Sequence, residues 1–546
     1  MFSIQNSYAE LINVNPDPDG EPWIAGGITP EDWDQMTANL PSLDRNLPKG
    51  RAKTAADNPP DKVDNSILPA FRPIFNQKGG SCIHASEIGY VFTYEINTLR
   101  RLESNDSANQ YPYDFSFNFC NIGSSIYGQG YEIAQLCGIP NVKTYGGFGL
   151  GDSTRWMSGY DKYYAGMANR ALDQFTIKVN TTAGILQMRQ WLNDHGTGAE
   201  NGGCLTFVFG SSPMTLTTLA PGTPEGGKAV LPAFGTTAGH SATIAGYNDS
   251  VRYDYNGDGR YTNDIDINHD GVVDLKDWEI GALYMVNSWG ESFGNNGKIF
   301  IPYKLLTDTN GCLGNLVVGI RTDSAVMKPK FTFKISLSHD NRGLLRIRAG
   351  FADNDTATRP ADSTISFGSA FNYTGGEYPM QGINADPIEI GLDVSRLAEN
   401  CTASRVTFFL LVDVLGGIGT VHQFSLMDYR NGTPVETVCD QKEVATPMVT
   451  PTFPRTASTL TLKVIKTLNQ VNTNSPAQKK HTVSQIAISG NILALRNAGD
   501  KVSIIKLDGS QCLSRNLCQD GTLNISTLPA GVYLARTGTA ILRFVR

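Results

Sequence analysis

Residues 75–101 read FNQKGGSCIHASEIGYVFTYEINTLRR, and this stretch decides how the chain is built. Gly79 and Gly80 break the chain, and Ser81 stands where a helix cap belongs. From Cys82 onward, Ile83, Ser86, Tyr90, Tyr94 and Ile96 suit a mostly buried helix. Cys82 then falls in the first turn, where the helix dipole favours the thiolate, the form that attacks a carbonyl. A lone cysteine is usually a small core residue; Cys82 differs in its company. Gln77 lies a few residues upstream, where a side-chain amide can donate to a developing oxyanion.

Two further segments belong with it. In TAGHSATIAGYND (237–249), His240 opens a strand whose alternation of Ser241 and Thr243 with Ala242 and Ile244 fits a half-buried sheet edge. In ALYMVNSWGESFGNNGKIFIPYKLL (282–306), a strand ends at Asn287, Ser288-Trp289-Gly290 begins a turn, and Gly294 and Gly297 precede the next strand.

In this order the three segments resemble the papain family of cysteine peptidases. The resemblance extends to YDFSFNFCN (113–121), like the segment that follows the family's nucleophile helix, and to GQGYEIAQLCGIPNV (128–142), like the glycine-led helix bordering its cleft. It covers roughly residues 67–323. It implies Cys82 as nucleophile, His240 as the base that pairs with it and then protonates the leaving amine, and Asn287 as the residue orienting that base. Trp289 would shield the His–Asn hydrogen bond. Gln77 and the backbone N–H of Cys82 would form the oxyanion hole. The implied reaction is peptide hydrolysis through a thioacyl-enzyme on protein or peptide substrates.

The chain departs from the family in three places. The family's glutamine precedes its cysteine by six positions, and here the offset is five. Gly79 stands where a cysteine often pairs across the cleft, which leaves Cys120 without that partner. Ile83 replaces the usual tryptophan, and His84 follows it; two positions along a helix point away from Cys82, so His84 reads as structural or cleft-lining.

Between His240 and Asn287 runs RYDYNGDGRYTNDIDINHDGVVDLKDWEIG (252–281), longer than a hairpin requires. Asp266, Asn268, Asp270, Gly271, Val272, Asp274 and Asp277 fall at positions 1, 3, 5, 6, 7, 9 and 12 of an EF-hand-like loop. Aspartate at the last position resembles dockerin-type loops. Hard oxygen ligands suit structural Ca²⁺, which would stiffen the hairpin carrying His240 and Asn287. An earlier repeat, Asp254, Asn256, Asp258 and Gly259, has Ile265 at its twelfth position and needs another ligand, Asp264 or Asp266.

Composition sets the remaining bounds. The chain of 546 residues is too long for one core. Net charge is −7 and there is no basic stripe, which argues against nucleic acid as a partner. No apolar run approaches the ~20 residues of a membrane helix; the nearest, Val406–Val421, contains Asp413 and reads as a buried strand. Nine cysteines fit one catalytic thiol plus up to four disulfides, with Cys401/Cys439 and Cys512/Cys518 as possible pairs and Cys137 and Cys204 as core thiols.

The expected fold is α+β. A Pro/Asp-rich N-terminal segment (1–66, possibly a prosegment) leads into a two-lobed papain-like domain (67–325) with the acidic insertion at 252–280. A β-sandwich (328–466), a linker (467–481) and a final all-β unit (482–546) follow. The sandwich shows no legible chemistry, and its His339 and His422 have no ligand partners nearby in sequence. The last unit resembles the sorting domain of type IX secretion cargo, through SIIKLDGSQ, NISTLPAGVYLARTG and the ending ILRFVR. That implies the type IX machinery as a partner, a secreted or cell-surface destination, and a signal peptide ahead of MFSIQNSYAE, which has none of its own features. Two other readings accompany the endopeptidase: a catalytically weak adhesin on a peptidase scaffold, and a thiol-dependent transferase or exopeptidase.

Overall fold

The computed structural model describes residues 42–43, 59–120, 127–147, 155–196, 202–308, 311–322, 328–360, 363–399, 401–449 and 456–468. For Thr237 and Ala238, strands Ile12–Pro16 and Pro22–Ala25, and the strands between 485 and 545, it describes the backbone alone. The chain divides into two compact units, Met1–Leu47 with Asn58–Leu468, and Pro48–Asp57 with Asn469–Arg546.

Helix α1 (Cys82–Arg100) is the centre of the first unit. It opens as an α-helix over Cys82–His84, widens to a π-helix over Ala85–Phe92 and tightens again over Thr93–Arg100. Sequence periodicity does not show the wide segment. At its end the Thr93 hydroxyl donates to the Ile88 carbonyl at 3.0 Å. Gly89 sits where a Cβ would stand 2.8 Å from the Phe75 ring, so the helix presses against the segment that carries Gln77. Ser81 occupies the N-cap position, but its hydroxyl donates to the Lys78 carbonyl at 2.7 Å and shapes the preceding turn instead of capping the helix.

The accompanying sheet is built from β1 (Lys62–Asp64), β2 (Ala171–Lys178), β3 (Leu205–Ser212), β4 (Thr237–Arg252), β5 (Ile280–Val286), β6 (Lys298–Pro302) and β7 (Leu316–Thr322). Its order is β2-β7-β3-β4-β5-β6, continued by the short strands Ala229–Val230 and Thr217–Thr218, with β1 also on β4. The strand of His240 is therefore central, not an edge, and it starts three residues before His240. The polar alternation that suggests an edge is satisfied internally. Thr243 and Thr206 both hydrogen-bond Ser86 of α1 through their hydroxyls, and Ser241 reaches Thr206 at 3.2 Å. Helix α2 (Gln129–Leu136) lies beside α1, followed by α3 (Tyr160–Gly166) and α4 (Thr182–Asp194). Leu43 is buried in the core beneath β2, and Ser42 bridges Thr176.

From residue 331 the chain forms two antiparallel sheets. One has the order β11 (Ile388–Asp393), β8 (Phe331–His339), β13 (Gly419–Asp428), β14 (Val435–Val438). The other runs β10 (Ser363–Ser366), β9 (Leu345–Ala352), β12 (Arg405–Val414), β15 (Ser458–Thr467). Alternate residues such as Phe333, Ile335 and Leu337 on one sheet and Ile347, Phe408 and Leu410 on the other fill the space between them. The Val406 run is the buried strand β12.

This sandwich shares its hydrophobic core with the helices around α1. The ring of Phe371 lies 4.9 Å from Phe119 and 5.2 Å from Trp156, and the Arg342 guanidinium lies 4.7 Å over Trp156. Tyr160 and Tyr429 share a hydroxyl hydrogen bond of 2.8 Å, and Arg170 pairs with Asp393 at 2.8 Å.

In the second unit the runs SQIAISG, ILALRN, KVSIIKL, GVYLARTG and AILRFVR each carry a strand, arranged in two small sheets. Cys401 and Cys439 are free thiols, not a disulfide, as are the buried Cys137 and Cys204; Cys512 and Cys518 lie outside the described side chains. Among the described residues no helix is long and apolar enough to cross a membrane.

Candidate active site

Three elements deliver the three side chains. Cys82 opens α1, His240 lies on β4, and Asn287 follows β5. The Cys82 Sγ donates to the carbonyl of Gly239, the residue before His240, at 3.9 Å. His240 Nε2 lies 2.7 Å from Asn287 Oδ1, which also accepts the Ser288 N–H at 2.8 Å. An amide oxygen only accepts, so Nε2 carries the imidazole proton and Nδ1 is left as the basic nitrogen. The ring of Trp289 lies 4.3 Å from that of His240, tilted by 31°, and Phe209 meets it edge-on at 5.5 Å. Cys82, His240, Asn287 and Trp289 are all buried.

Burial dominates the protonation states. It pushes the Cys82 thiol up to about 11, against backbone N–H groups that pull it down, of which that of Ser241 has the largest effect. It pushes His240 down to about 4, with the Asn287 hydrogen bond acting in the opposite sense. Burial thus opposes both the thiolate and the imidazolium. For Cys82 it acts against the thiolate that a place in the first turn of a helix favours.

Gln77 is fully buried beside the same turn. Its N–H donates to the Ser288 carbonyl at 2.8 Å, its Oε1 accepts the Ser288 hydroxyl, and its Nε2 donates to the Gly79 carbonyl at 3.2 Å. Sequence reading placed Ser288 only in a turn; in the structure it ties Gln77 to the Asn287–Trp289 corner. Asn76 also bridges Trp289.

One other residue escaped sequence reading, and His84 takes the structural place expected of it. Glu87, one turn after Cys82, is buried and accepts the N–H groups of Gly128 (2.6 Å) and Gly130 (2.9 Å), fixing the start of α2 against α1. Burial raises its pKa to about 8. His84 lies between Ser116 Oγ (2.9 Å) and Cys120 Sγ (3.0 Å), and burial lowers it to about 3, a structural role.

The acidic insertion folds as two loops of the same design. In the second, the Gly271 N–H donates to Asp266 Oδ2 at 2.9 Å, Asp277 Oδ1 accepts the Ile267 N–H and Asp277 Oδ2 accepts the Asp274 N–H. Asp266 Oδ1 is a buried oxygen with no hydrogen-bond partner. In the first, the Gly259 N–H donates to Asp254 Oδ2 at 2.9 Å, while Glu279 Oε1 accepts the Tyr255 N–H and Oε2 the Thr262 N–H. Glu279 thus bonds loop positions 2 and 9, as Asp277 does in the other loop. It stands in the place of the ligand missing at Ile265, ahead of Asp264 or Asp266. Asn256 and Asn268 each accept an N–H two residues on, from Asp258 and Asp270. Asp270 and Asp274 lean toward Lys276 Nζ, at 3.2 and 3.6 Å. Among the described residues no three acidic, histidine or cysteine side chains converge as a ligand shell.

No protein-family model and no curated protein matches the sequence. Among solved structures, the chain is similar to xylellain, a cysteine protease from Xylella fastidiosa, at 13% identity over 57% of this chain and 98% of that one, with a TM-score of 0.34. It is also similar to the bromelain protease from Ananas comosus in complex with the E64 inhibitor, at 13% identity over 48% of this chain and 100% of that one, TM-score 0.30. The structural neighbours are papain-like cysteine proteases.

Proposed function

We propose that the protein is a cysteine endopeptidase. The observation that carries this is the 2.7 Å bond from His240 Nε2 to Asn287 Oδ1 beneath Trp289, which leaves the basic nitrogen of His240 available, with the Cys82 thiol bonded to the adjacent residue. His240 Nδ1 takes the Sγ proton as sulfur attacks the peptide carbonyl. The oxyanion is met by the Cys82 N–H and Gln77. The amine leaves with the proton from His240, and water then hydrolyses the thioester. Starting from a neutral pair, the proton moves with the attack, so the site needs His240 unprotonated. Brief iodoacetamide treatment of the native protein across pH, with mass-spectrometric mapping, tests this: Cys82 is to react ahead of the other buried cysteines, and His240→Ala is to abolish that preference. Equal reactivity of Cys82 in both proteins would sink the reading.

Calcium is part of this proposal. Asp266, Asn268, Asp270, the Val272 carbonyl, Asp274 and Asp277 would hold one ion, with Asp266 Oδ1 waiting for a partner. Asp254, Asn256, Asp258 and Glu279 would serve a second. The ions would displace Lys276 and stiffen the hairpin between β4 and β5. Millimolar Ca²⁺ is then expected to raise the thermal midpoint relative to EGTA, and Glu279→Gln is to remove part of that rise. We further propose, from the sequence of the second unit, export by a type IX machinery to the cell surface or medium.

A further inference from the structure

His422 is the extra residue of a bulge. On β8 and β13 the register passes from Ser336↔Gln423 to Leu337↔Val421, which leaves His422 without a partner on β8. Its Nε2 lies 2.9 Å from Ser338 Oγ, and its Nδ1 lies 2.8 Å from Glu443 Oε2. Glu443 adopts a left-handed backbone (φ 53°), unfavourable for a residue with a side chain, and its N–H donates to the His422 carbonyl at 3.2 Å. A carboxylate only accepts, so in the neutral ring Nδ1 carries the proton, Nε2 is the acceptor, and the Ser338 hydroxyl donates to it. This is the hydrogen-bond order of a serine–histidine–acid triad. The three residues are exposed in part, His422 by 29% and Glu443 by 69% of the side chain. Gln423, opposite Ser336, lies on the same face as Ser338, and its Nε2 is engaged only at 3.5 Å, with Ser425 Oγ.

We propose that Ser338, His422 and Glu443 form a second nucleophilic site, acting on carboxylic esters. Ser338 Oγ bonds to the ester carbonyl carbon as its proton passes to His422 Nε2, and the Gln423 amide supplies an N–H to the oxyanion. The C–O bond to the alcohol then breaks and the alkoxide leaves with the proton from His422. Water hydrolyses the acyl-serine by the same path and restores the hydroxyl. An ester fits better than an amide because the site is open, without the enclosure that the Cys82 site provides for expelling an amine. Glu443 touches no substrate; it is a positioning residue that fixes the tautomer. The proposal is independent of the thiol chemistry.

The test uses the full chain carrying Cys82→Ala, which removes the reactive thiol. A fluorophosphonate probe and p-nitrophenyl acetate are applied, and labelled peptides are mapped. The expected result is a label on Ser338, its loss in Ser338→Ala, and labelling and ester turnover reduced by about 100-fold or more in His422→Ala. Glu443→Gln is to reduce both by a smaller factor and to shift their pH profile. Thermal midpoints of each variant show that the sandwich is folded. A folded protein in which Ser338 stays unlabelled overturns the proposal. So does a label on Ser338 that His422→Ala leaves unchanged, since the hydroxyl is then an ordinary one.

Discussion

His240 and His422 are set up in opposite ways. His240 is buried, roofed by Trp289 and oriented by an uncharged amide; His422 stands at the surface and is oriented by a carboxylate. The difference suits the partner proposed for each. A thiol gives up its proton far more readily than a hydroxyl, so a base facing Cys82 needs only the correct tautomer, and a buried anion beside it would carry a large desolvation penalty. A base facing a serine hydroxyl needs help in holding the positive charge, and the surface lets a carboxylate give that help at little penalty.

The largest expected effect comes from removing the sulfur. Cys82→Ser is to lower peptide hydrolysis by roughly 10³-fold or more, because the hydroxyl would have to react with a base that is held by an amide and not by a carboxylate; Ser338→Ala is to leave peptide hydrolysis unchanged. Converting one design into the other comes next. Asn287→Asp puts a carboxylate against His240 and favours the imidazolium. The acid limb of activity, expected near pH 4 from the lowered His240 value, is then to move up by roughly one to three pH units. An unmoved limb would mean that His240 is not the titrating base.

Stability gives a third, smaller test. His240 and His84 are held well below the ordinary histidine value, to about 4 and about 3. Between pH 6.5 and those values the unfolded chain binds more protons than the folded one, so their contribution is present above pH 6.5 and is lost as pH falls through 4 and 3. Thermal midpoints measured from pH 7 to 4 are to fall, and less steeply in His84→Gln. The smallest effect is that of Ser288→Ala: loss of one hydrogen bond to Gln77 is worth about 1 kcal/mol, or roughly fivefold in kcat/KM.

The local signals in the sequence were those that repeat or punctuate. Helix α1, the strand ending at Asn287 and the alternating runs of the sandwich all follow from periodicity and glycine placement. Positions that depend on a distant partner were not legible. The Ser241–Thr243 alternation looked like a sheet edge because Ser86, which satisfies it, is more than 150 residues away. Glu279 and Ile265 are too far apart for loop spacing to connect them. Nothing near His422 in sequence marks it, because its partners come from another strand and from beyond β14, and a bulge has no sequence signature. The dipole at the start of α1 is local and readable, whereas the burial that opposes it comes from the whole fold.

The core that runs unbroken from α1 into the sandwich, through Phe119, Trp156, Phe371 and Arg342, has a practical meaning. The two halves are not modules that recombination could trade between proteins. A chain shortened at the boundary near residue 328 would carry a wound of bare aromatic rings beside helix α1. Substitutions in either half are therefore inherited as mutations of both.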